Sequence, residues 1–104
     1  MLIYHVATKA DWDEAMRTGA YSTSTRGRTL EQEGFIHAAR EEQVPGILTA
    51  FYGDMAEPLV VLEIETERLE VPWREDEVGA ETFPHIYGPL SVSAVVDVRT
   101  ARPV

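Results

Sequence analysis

The segment Glu41–Glu65, EEQVPGILTAFYGDMAEPLVVLEIE, contains the clearest helix pattern and the clearest strand pattern of the chain. Its first half predicts a helix from about Glu41 to Gly53, because apolar residues recur at the spacing of one helix face: Val44, Ile47, Leu48, Phe51 and Tyr52. Its second half, Leu59–Glu65, begins as an apolar run and then alternates apolar and charged residues, which predicts a strand.

Two further elements are predicted on the amino-terminal side. The run Leu2–Ala7 is typical of a strand, and Lys9–Thr18 has an apolar stripe at helical spacing, formed by Trp12, Ala15 and Met16. Thr8 and Asp11 have the spacing of a capping box, and Gly19 supplies the end of the helix.

The segments that follow this helix are short. The polar stretch Tyr21–Arg28 predicts a loop, and Leu30–Gln32 predicts a single turn of helix. Phe35–Ala38 predicts a short strand on which Phe35 and His37 share one face.

The remaining segments complete the predicted fold. Thr66–Thr82 is charged and is predicted to be irregular, with a short edge strand at Leu69 and Val71, and Val92–Val98 predicts the last strand. There are too few strand–helix–strand units for a doubly wound sheet, so we expect the α+β class, with a small mixed or antiparallel sheet, whole or split in two, and two main helices. A chain of 104 residues predicts one domain over 1–104.

Composition narrows the classes of function. The net charge of −9 repels phosphate backbones and argues against generic binding of nucleic acid. The chain has no cysteine, which excludes disulfides and thiolate sites. The sequence contains neither a secretory leader pattern nor an apolar run long enough to span a membrane, so we expect a cytoplasmic protein that does not associate with membranes.

The three histidines of the chain, His5, His37 and His85, all lie in apolar stretches. Imidazole can donate, accept or bind a metal near neutral pH, so this placement predicts one polar site on a rigid scaffold. The alternative for each is a core histidine bonded to a backbone carbonyl. His-x-His and His-x-x-x-His spacings are absent, so we predict no metal site, although three imidazoles could meet through the fold.

The segment Phe83–Leu90, FPHIYGPL, is the strongest candidate for a functional element. Its two prolines and Gly88 predict a stiff platform, with His85 and Tyr87 on one side if Ile86 is extended. The alternative is a rigid loop that only closes the core. Signatures of a serine nucleophile elbow, a dinucleotide fingerprint and a phosphate-binding loop are absent.

These blocks resemble a known bacterial family. Ile3-Tyr4-His5, Gly34-Phe35-Ile36-His37, the helix through Phe51-Tyr52, the strand Leu59–Ile64 and the block Phe83–Leu90 together look like domain-of-unknown-function family 952, over nearly the whole chain. The name of that family implies no biochemistry.

The motif order is also distantly similar to the ADP-ribosyltransferase fold, in its RNA 2′-phosphotransferase branch. This resemblance implies that His5, after Tyr4, touches a ribose hydroxyl of NAD and that His37 lies near the nicotinamide ribose or the phosphates. It also implies that Arg26 or Arg28 grips phosphate. The sequence departs from the pattern at Val6-Ala7, where the branch often has Gly-Thr, and at Phe35, where it tends to have another histidine. The late-strand glutamate is also missing, and Glu81 is only a loop candidate.

The expected function is therefore a histidine-lined cleft that recognises a nucleotide or a phosphorylated small molecule, with NAD as the candidate substrate and no certain cofactor. In this reading His37 and His85 are catalytic, and the ligand-binding residues are His5, Tyr4, Arg26, Arg28 and Tyr87. Turnover would be that of an ADP-ribosyltransferase-like transferase or an NAD glycohydrolase. The alternatives are a ligand-binding module without turnover and a structural or interaction domain.

Overall fold

The structure, a computed structural model, describes residues 1–25 and 27–101. Its strands are β1 Leu2–Thr8, β2 Ala20–Tyr21, β3 Thr23–Thr25, β4 Arg28–Thr29, β5 Ile36–His37, β6 Leu59–Glu65, β7 Trp73–Val78, β8 Glu81–Ile86, β9 Leu90–Ser91 and β10 Val95–Ala101. Its α-helices are α1 Lys9–Thr18, α2 Leu30–Glu33 and α3 Val44–Tyr52, with 3₁₀ turns at Glu41–Gln43, Thr66–Arg68 and Val92–Ala94. The expected α+β class is confirmed.

The strands form two three-stranded sheets and two small pairs, and every described pairing is antiparallel. The larger sheet has the order β1-β6-β10 and the second sheet has the order β5-β8-β7. The strands β2 and β9 pair with each other, as do β3 and β4. The antiparallel pairing agrees with the prediction, but the strands fall into four groups where the sequence predicts one sheet or two.

The central strand β6 separates two apolar clusters. Leu62 and Ile64 face one side with Trp12 of α1, whereas Val61 faces the other side with Leu48 of α3. The two main helices therefore cover opposite faces of the larger sheet. Burial of one such aliphatic side chain contributes about 1.5–3 kcal/mol, which explains the strong apolar run in this strand.

The two large sheets meet where β1 passes the chain that leaves β5. Tyr4 and Ala39 exchange two backbone hydrogen bonds of 2.8 and 2.7 Å. Ala38 donates to the carbonyl of Pro84 in β8 at 3.0 Å. Beside this junction, His5 of β1 and His37 of β5 both line a small hollow, the gap between the two strands.

The helix α1 has the predicted bounds, Lys9–Thr18, whereas α3 begins at Val44, because Glu41–Gln43 of the predicted helix form a 3₁₀ turn. The Thr8 hydroxyl accepts from the Asp11 amide at 3.1 Å, and Gly19 closes α1 with φ of 95°. The predicted stripes are partly wrong, because Met16 and Phe51 are more than half exposed. Each stands at the edge of its helix face, beyond the reach of the sheet.

Two segments contain more strand than the sequence predicts. The expected loop Tyr21–Arg28 contains β3 and the beginning of β4, and the expected irregular segment Thr66–Thr82 contains β7. The last strand begins later than predicted, at Val95.

In the segment Phe83–Leu90, Ile86 is extended, and His85 and Tyr87 lie on one side, where both bond Asp76, as the sequence predicts. The first half of this segment is in the central strand β8, although Pro84 cannot donate a ladder bond. The carbonyl of Pro84 accepts from Ala38, which lies just beyond the end of β5. The N–H that Pro84 lacks would point to the same side, so its absence removes no bond to a residue of β5.

Candidate functional site

His5 is a fully bonded core residue. Its side chain is buried, and Nδ1–H donates to the carbonyl oxygen of His37, which can only accept. The tautomer leaves Nε2 as an acceptor for the Tyr21 hydroxyl at 2.9 Å. Burial lowers the pKa of His5 to about 4, so this imidazole is neutral at pH 7.

His37 is the imidazole that solvent reaches, since 37% of its side-chain surface is exposed. Its Nε2–H donates to Glu33 at the end of α2, at 3.2 Å. Glu33 also accepts from Arg28 at 2.8 Å, and the hydrogen bond from His37 is the main reason why the pKa of Glu33 is lowered. The sequence-predicted Arg28 thus reaches the site through a carboxylate.

His85 belongs to a second network, centred on Asp76 of β7. Its Nδ1–H donates to Asp76 Oδ2 at 2.8 Å, and the hydroxyl of Tyr87 donates to the same oxygen. Arg74 donates to the other carboxylate oxygen at 2.8 Å and lies 4.5 Å above the Tyr87 ring. These bonds, led by that of Tyr87, hold the pKa of Asp76 at about 2 and raise the pKa of Tyr87.

The other nitrogen of His85 is buried and has no hydrogen-bond partner among the described residues. Since Nδ1 carries the hydrogen, Nε2 presents a bare lone pair. Burial lowers the pKa of His85 and keeps the ring neutral, against the opposing influence of Asp76. A buried acceptor without a donor costs about 1–3 kcal/mol, which makes this atom the least satisfied polar group of the site.

The rings of the two networks pack against each other. Phe35 stacks on His85 with a centroid distance of 4.0 Å, and His37 meets His85 edge to face at 5.1 Å. Phe35 also contacts the Tyr87 ring at 5.5 Å. We call Phe35, His37, His85 and Tyr87 the ring cluster. The three histidines therefore converge at His37, whose carbonyl binds His5 and whose ring touches His85.

Two hollows adjoin this convergence. The smaller, of about 30 Å³, lies in the gap between β1 and β5 and is lined by Tyr4, His5, Val6, Ser24, Thr25, His37, Ala38, Ala39, Ile47 and Tyr52. The larger groove, of about 380 Å³, is lined by Ala7, Thr8, Ala10, Asp11, Tyr21, Thr23, Gly27, Tyr52, Met55 and Glu57. Tyr52 borders both. Neither hollow is lined by His85 or Tyr87, so the structure does not bring all four predicted residues to one wall.

The remaining predicted site residues have different surroundings. Tyr4 lines the small hollow, but its hydroxyl donates to Glu63 at 3.3 Å on the far side of β1. Arg26 lies outside the described residues, next to Gly27 of the larger groove.

Sequence reasoning missed the carboxylates Glu33 and Asp76, which orient two of the three imidazoles. Both stand in charged stretches that are typical of a solvated surface. The one signal for Glu33 is its position four residues before His37. Asp76 has no local signal, because its partners come from the adjacent strand β8 and from Tyr87 beyond it.

Among residues 1–25 and 27–101, no group of three or more histidine, aspartate or glutamate side chains is arranged to hold a metal ion. In the same ranges, every helix is too short or too polar to cross a bilayer.

Comparison with known proteins gives a family and a fold. The sequence matches the family described as "Protein of unknown function (DUF952)" over residues 6–98. The crystal structure of protein CC0527 from Caulobacter crescentus is similar, with 31% identity, a TM-score of 0.82 and coverage of 96% of this chain and 85% of that chain. The solution NMR structure of CC0527 has 33% identity, a TM-score of 0.69 and coverage of 93% and 81%. No curated protein matches this chain.

Proposed function

The chain belongs to the DUF952 family of proteins of unknown function, and we propose that it binds a nucleotide-like ligand, with NAD as the first candidate, at the gap between β1 and β5. The observation that carries the proposal is that His5 of β1 and His37 of β5 line the same hollow. The same pair of strand histidines is the basis of the resemblance to the ADP-ribosyltransferase fold.

Size supports a ligand that spans both hollows. The 30 Å³ hollow has room for one water-sized group, such as a hydroxyl. The adjoining 380 Å³ groove falls within the range of small-molecule sites, about 300–1,000 Å³. We therefore assign the larger part of the ligand to the groove and a single polar group to the hollow beside His37.

Charge decides which residues would take a phosphate. The described residues with a charged side chain that line the larger groove are Asp11 and Glu57, both acidic. Arg28 is paired with Glu33 and is half exposed, so a phosphate would compete with that carboxylate. Arg26 and Arg28 flank Gly27 of the groove, and we propose that this loop supplies the positive charge.

The chemistry that these residues could perform follows from their protonation. At the nicotinamide ribose, cleavage passes through an oxocarbenium-like species, which needs hydrogen bonds to the ribose and little covalent help. His5 is neutral and fully bonded, so it orients the His37 carbonyl and its strand. His37 is the exposed imidazole that would contact the ribose. His85, whose lone pair is free of any described partner, would accept a proton from an acceptor hydroxyl after a rearrangement of the ring cluster.

Binding is tested by calorimetry and by amide chemical shifts with NAD, ADP-ribose and AMP at millimolar concentration. We expect shifts at Thr23, Thr25 and His37. Arg28→Ala should weaken binding severalfold, whereas Arg17→Ala, an exposed arginine paired with Glu14 in the same way, should not change it. Absence of heat and of shifts for all three ligands would overturn the proposal.

Turnover is tested separately, by release of nicotinamide from NAD over several hours. His37→Gln retains a donor for Glu33 and should abolish release if the chain is an enzyme. Binding without release for the wild-type chain would identify a binding module, and the proposal of ligand recognition would stand.

A further inference from the structure

The outer edge of β10 is unpaired in the described chain. The strand is the last in the order β1-β6-β10, and residues 95–101 make backbone bonds only within that sheet, as far as residues 1–25 and 27–101 are concerned. Val96 and Val98 on this strand are 41% and 38% exposed. A free edge with exposed apolar residues is a template for another strand.

The backbone groups that face outward on this edge follow from the junction at Tyr4. The backbone N–H and C=O of Tyr4 both bond Ala39, so these groups point away from β6. Backbone groups alternate sides along a strand, so His5 bonds β6 through its partner Leu62. The backbone N–H and C=O groups of Val61 and Glu63, the neighbours of Leu62 in β6, therefore point toward β10.

Their partners on β10 are Arg99 and Asp97. These two residues bond β6, and the N–H and C=O groups of Val98 and Thr100 face solvent. The bulge of β10 lies between Val95 and Asp97, so the strand is regular from Asp97 onward.

We propose that β10 pairs with β10 of a second copy of this chain, antiparallel and with the two-fold axis at Val98. In this register Val98 exchanges two backbone bonds with its counterpart, as an outward-facing residue must. Asp97 stands opposite Arg99 of the second copy, and Arg99 stands opposite Asp97. Neither residue forms an ion pair among the described residues. The Arg99 guanidinium lies 5.5 Å from the centroid of the Tyr4 ring, so this exposed side chain must turn from that ring to reach Asp97 of the second copy. The pattern is self-complementary, as an isologous interface requires.

The other open edge lacks this complementarity. The strand β7 is the outer strand of the second sheet and has three consecutive acids, Glu75, Asp76 and Glu77. By the same alternation the outward-facing residues of β7 are Glu75 and Glu77, because Pro72 accepts from Tyr87 and therefore faces the β8 side. A two-fold axis at Glu75 would place this residue opposite its own copy, which is repulsive, and the flanking Arg74 and Asp76 already bond each other within one chain. Charge therefore selects β10 as the edge that joins two copies.

The interface that one strand provides is small, so we expect a weak dimer that forms in the concentration range of about 0.1–2 mM. Sedimentation equilibrium and NMR diffusion measure it on the full chain. Arg99→Asp replaces two attractive pairs by two repulsive ones and should weaken dimerisation about tenfold or more. Arg68→Asp makes the same charge change at another exposed site and should leave it unaltered.

Two further variants test the register. Asp97→Arg with Arg99→Asp restores opposite charges and should recover the wild-type dissociation constant within about threefold. Val98→Pro removes an N–H that β6 does not use, so it should abolish the dimer and leave the thermal unfolding of the monomer almost unchanged. A wild-type chain that remains monomeric at about 2 mM would overturn the proposal, and so would a double variant that does not recover dimerisation.

Discussion

A fall in pH should destabilise this protein even at pH values above those at which its carboxylates begin to titrate. The cause is His5, which burial keeps in its neutral form. The folded chain holds the pKa of His5 at about 4, below the ordinary histidine value of 6.5, because the ring is buried. Between these two values only the unfolded chain binds the proton, so the stability that the neutral ring provides is lost as the pH falls. With these values, the free energy of unfolding should fall by about 2 kcal/mol between pH 7.5 and pH 5.

The measurement is urea denaturation at several pH values from about 5 to 7.5, on the wild-type chain and on His5→Asn. The asparagine amide can still donate to the His37 carbonyl, but it does not titrate. Its unfolding free energy should be lower at pH 7.5 and should depend less on pH, by about 2 kcal/mol over this range. His85 adds a loss of the same sign, since burial lowers its pKa too, and His85→Asn separates this part.

The carboxylates do not confuse this result. The pKa values of Glu33 and Asp76 are lowered by their partners, so the stability that they provide is lost only as the pH falls below the range of an unfolded carboxylate, near 4. Parallel curves for the wild-type chain and His5→Asn between pH 7.5 and pH 5 would refute the reasoning. They would mean that His5 titrates alike in the folded and unfolded chain, and therefore that it is open to water.

Three further outcomes follow from the same contacts. Tyr21→Phe should cost about 1–3 kcal/mol in urea denaturation, because it leaves the buried Nε2 of His5 without a donor, and a double-mutant cycle with His5→Asn should show coupling. Gly88→Ala should cost about 1–3 kcal/mol, since the new Cβ would lie 2.5 Å from Val71 Cγ1, and Val71→Ala should recover part of the loss; an unchanged melting temperature for Gly88→Ala would contradict this. His85→Phe should change the free energy of unfolding by less than about 1.5 kcal/mol, because the lost bond to Asp76 is offset by removal of an unpartnered nitrogen, and a larger loss would mean that Nε2 has a partner.

The parts of the fold that the sequence predicts are those determined by local rules. The limits of α1 follow from Thr8 and Gly19, and the strand β6 follows from its own apolar run. The hairpin of β7 and β8 does not follow from local rules. Its residues Arg74, Glu75 and Asp76 have the composition of a surface loop, and their strand conformation depends on pairing with β8.

The site divides in the same way. The convergence of the histidines is predictable in outline, since each lies in a short apolar stretch that favours a strand. Their individual roles are not, because these depend on partners supplied by other elements. Tyr21 and Asp76 determine which nitrogen of His5 and of His85 is occupied, and neither stands near its histidine in the sequence.

These partners determine how accessible each of the three imidazoles is to a ligand. His5 uses both nitrogens inside the protein, so a ligand could bond its ring only by displacing Tyr21 or the His37 carbonyl. His37 is exposed, and its bond to Glu33, at 3.2 Å, is longer than the 2.9 Å bond between His5 and Tyr21. A ligand can therefore replace Glu33 as the partner of His37 at lower cost. His85 keeps a free lone pair behind Phe35 and His37, and any movement of His37 toward a ligand would uncover it. His37 is therefore the residue through which recognition of a ligand at the gap would reach the second network.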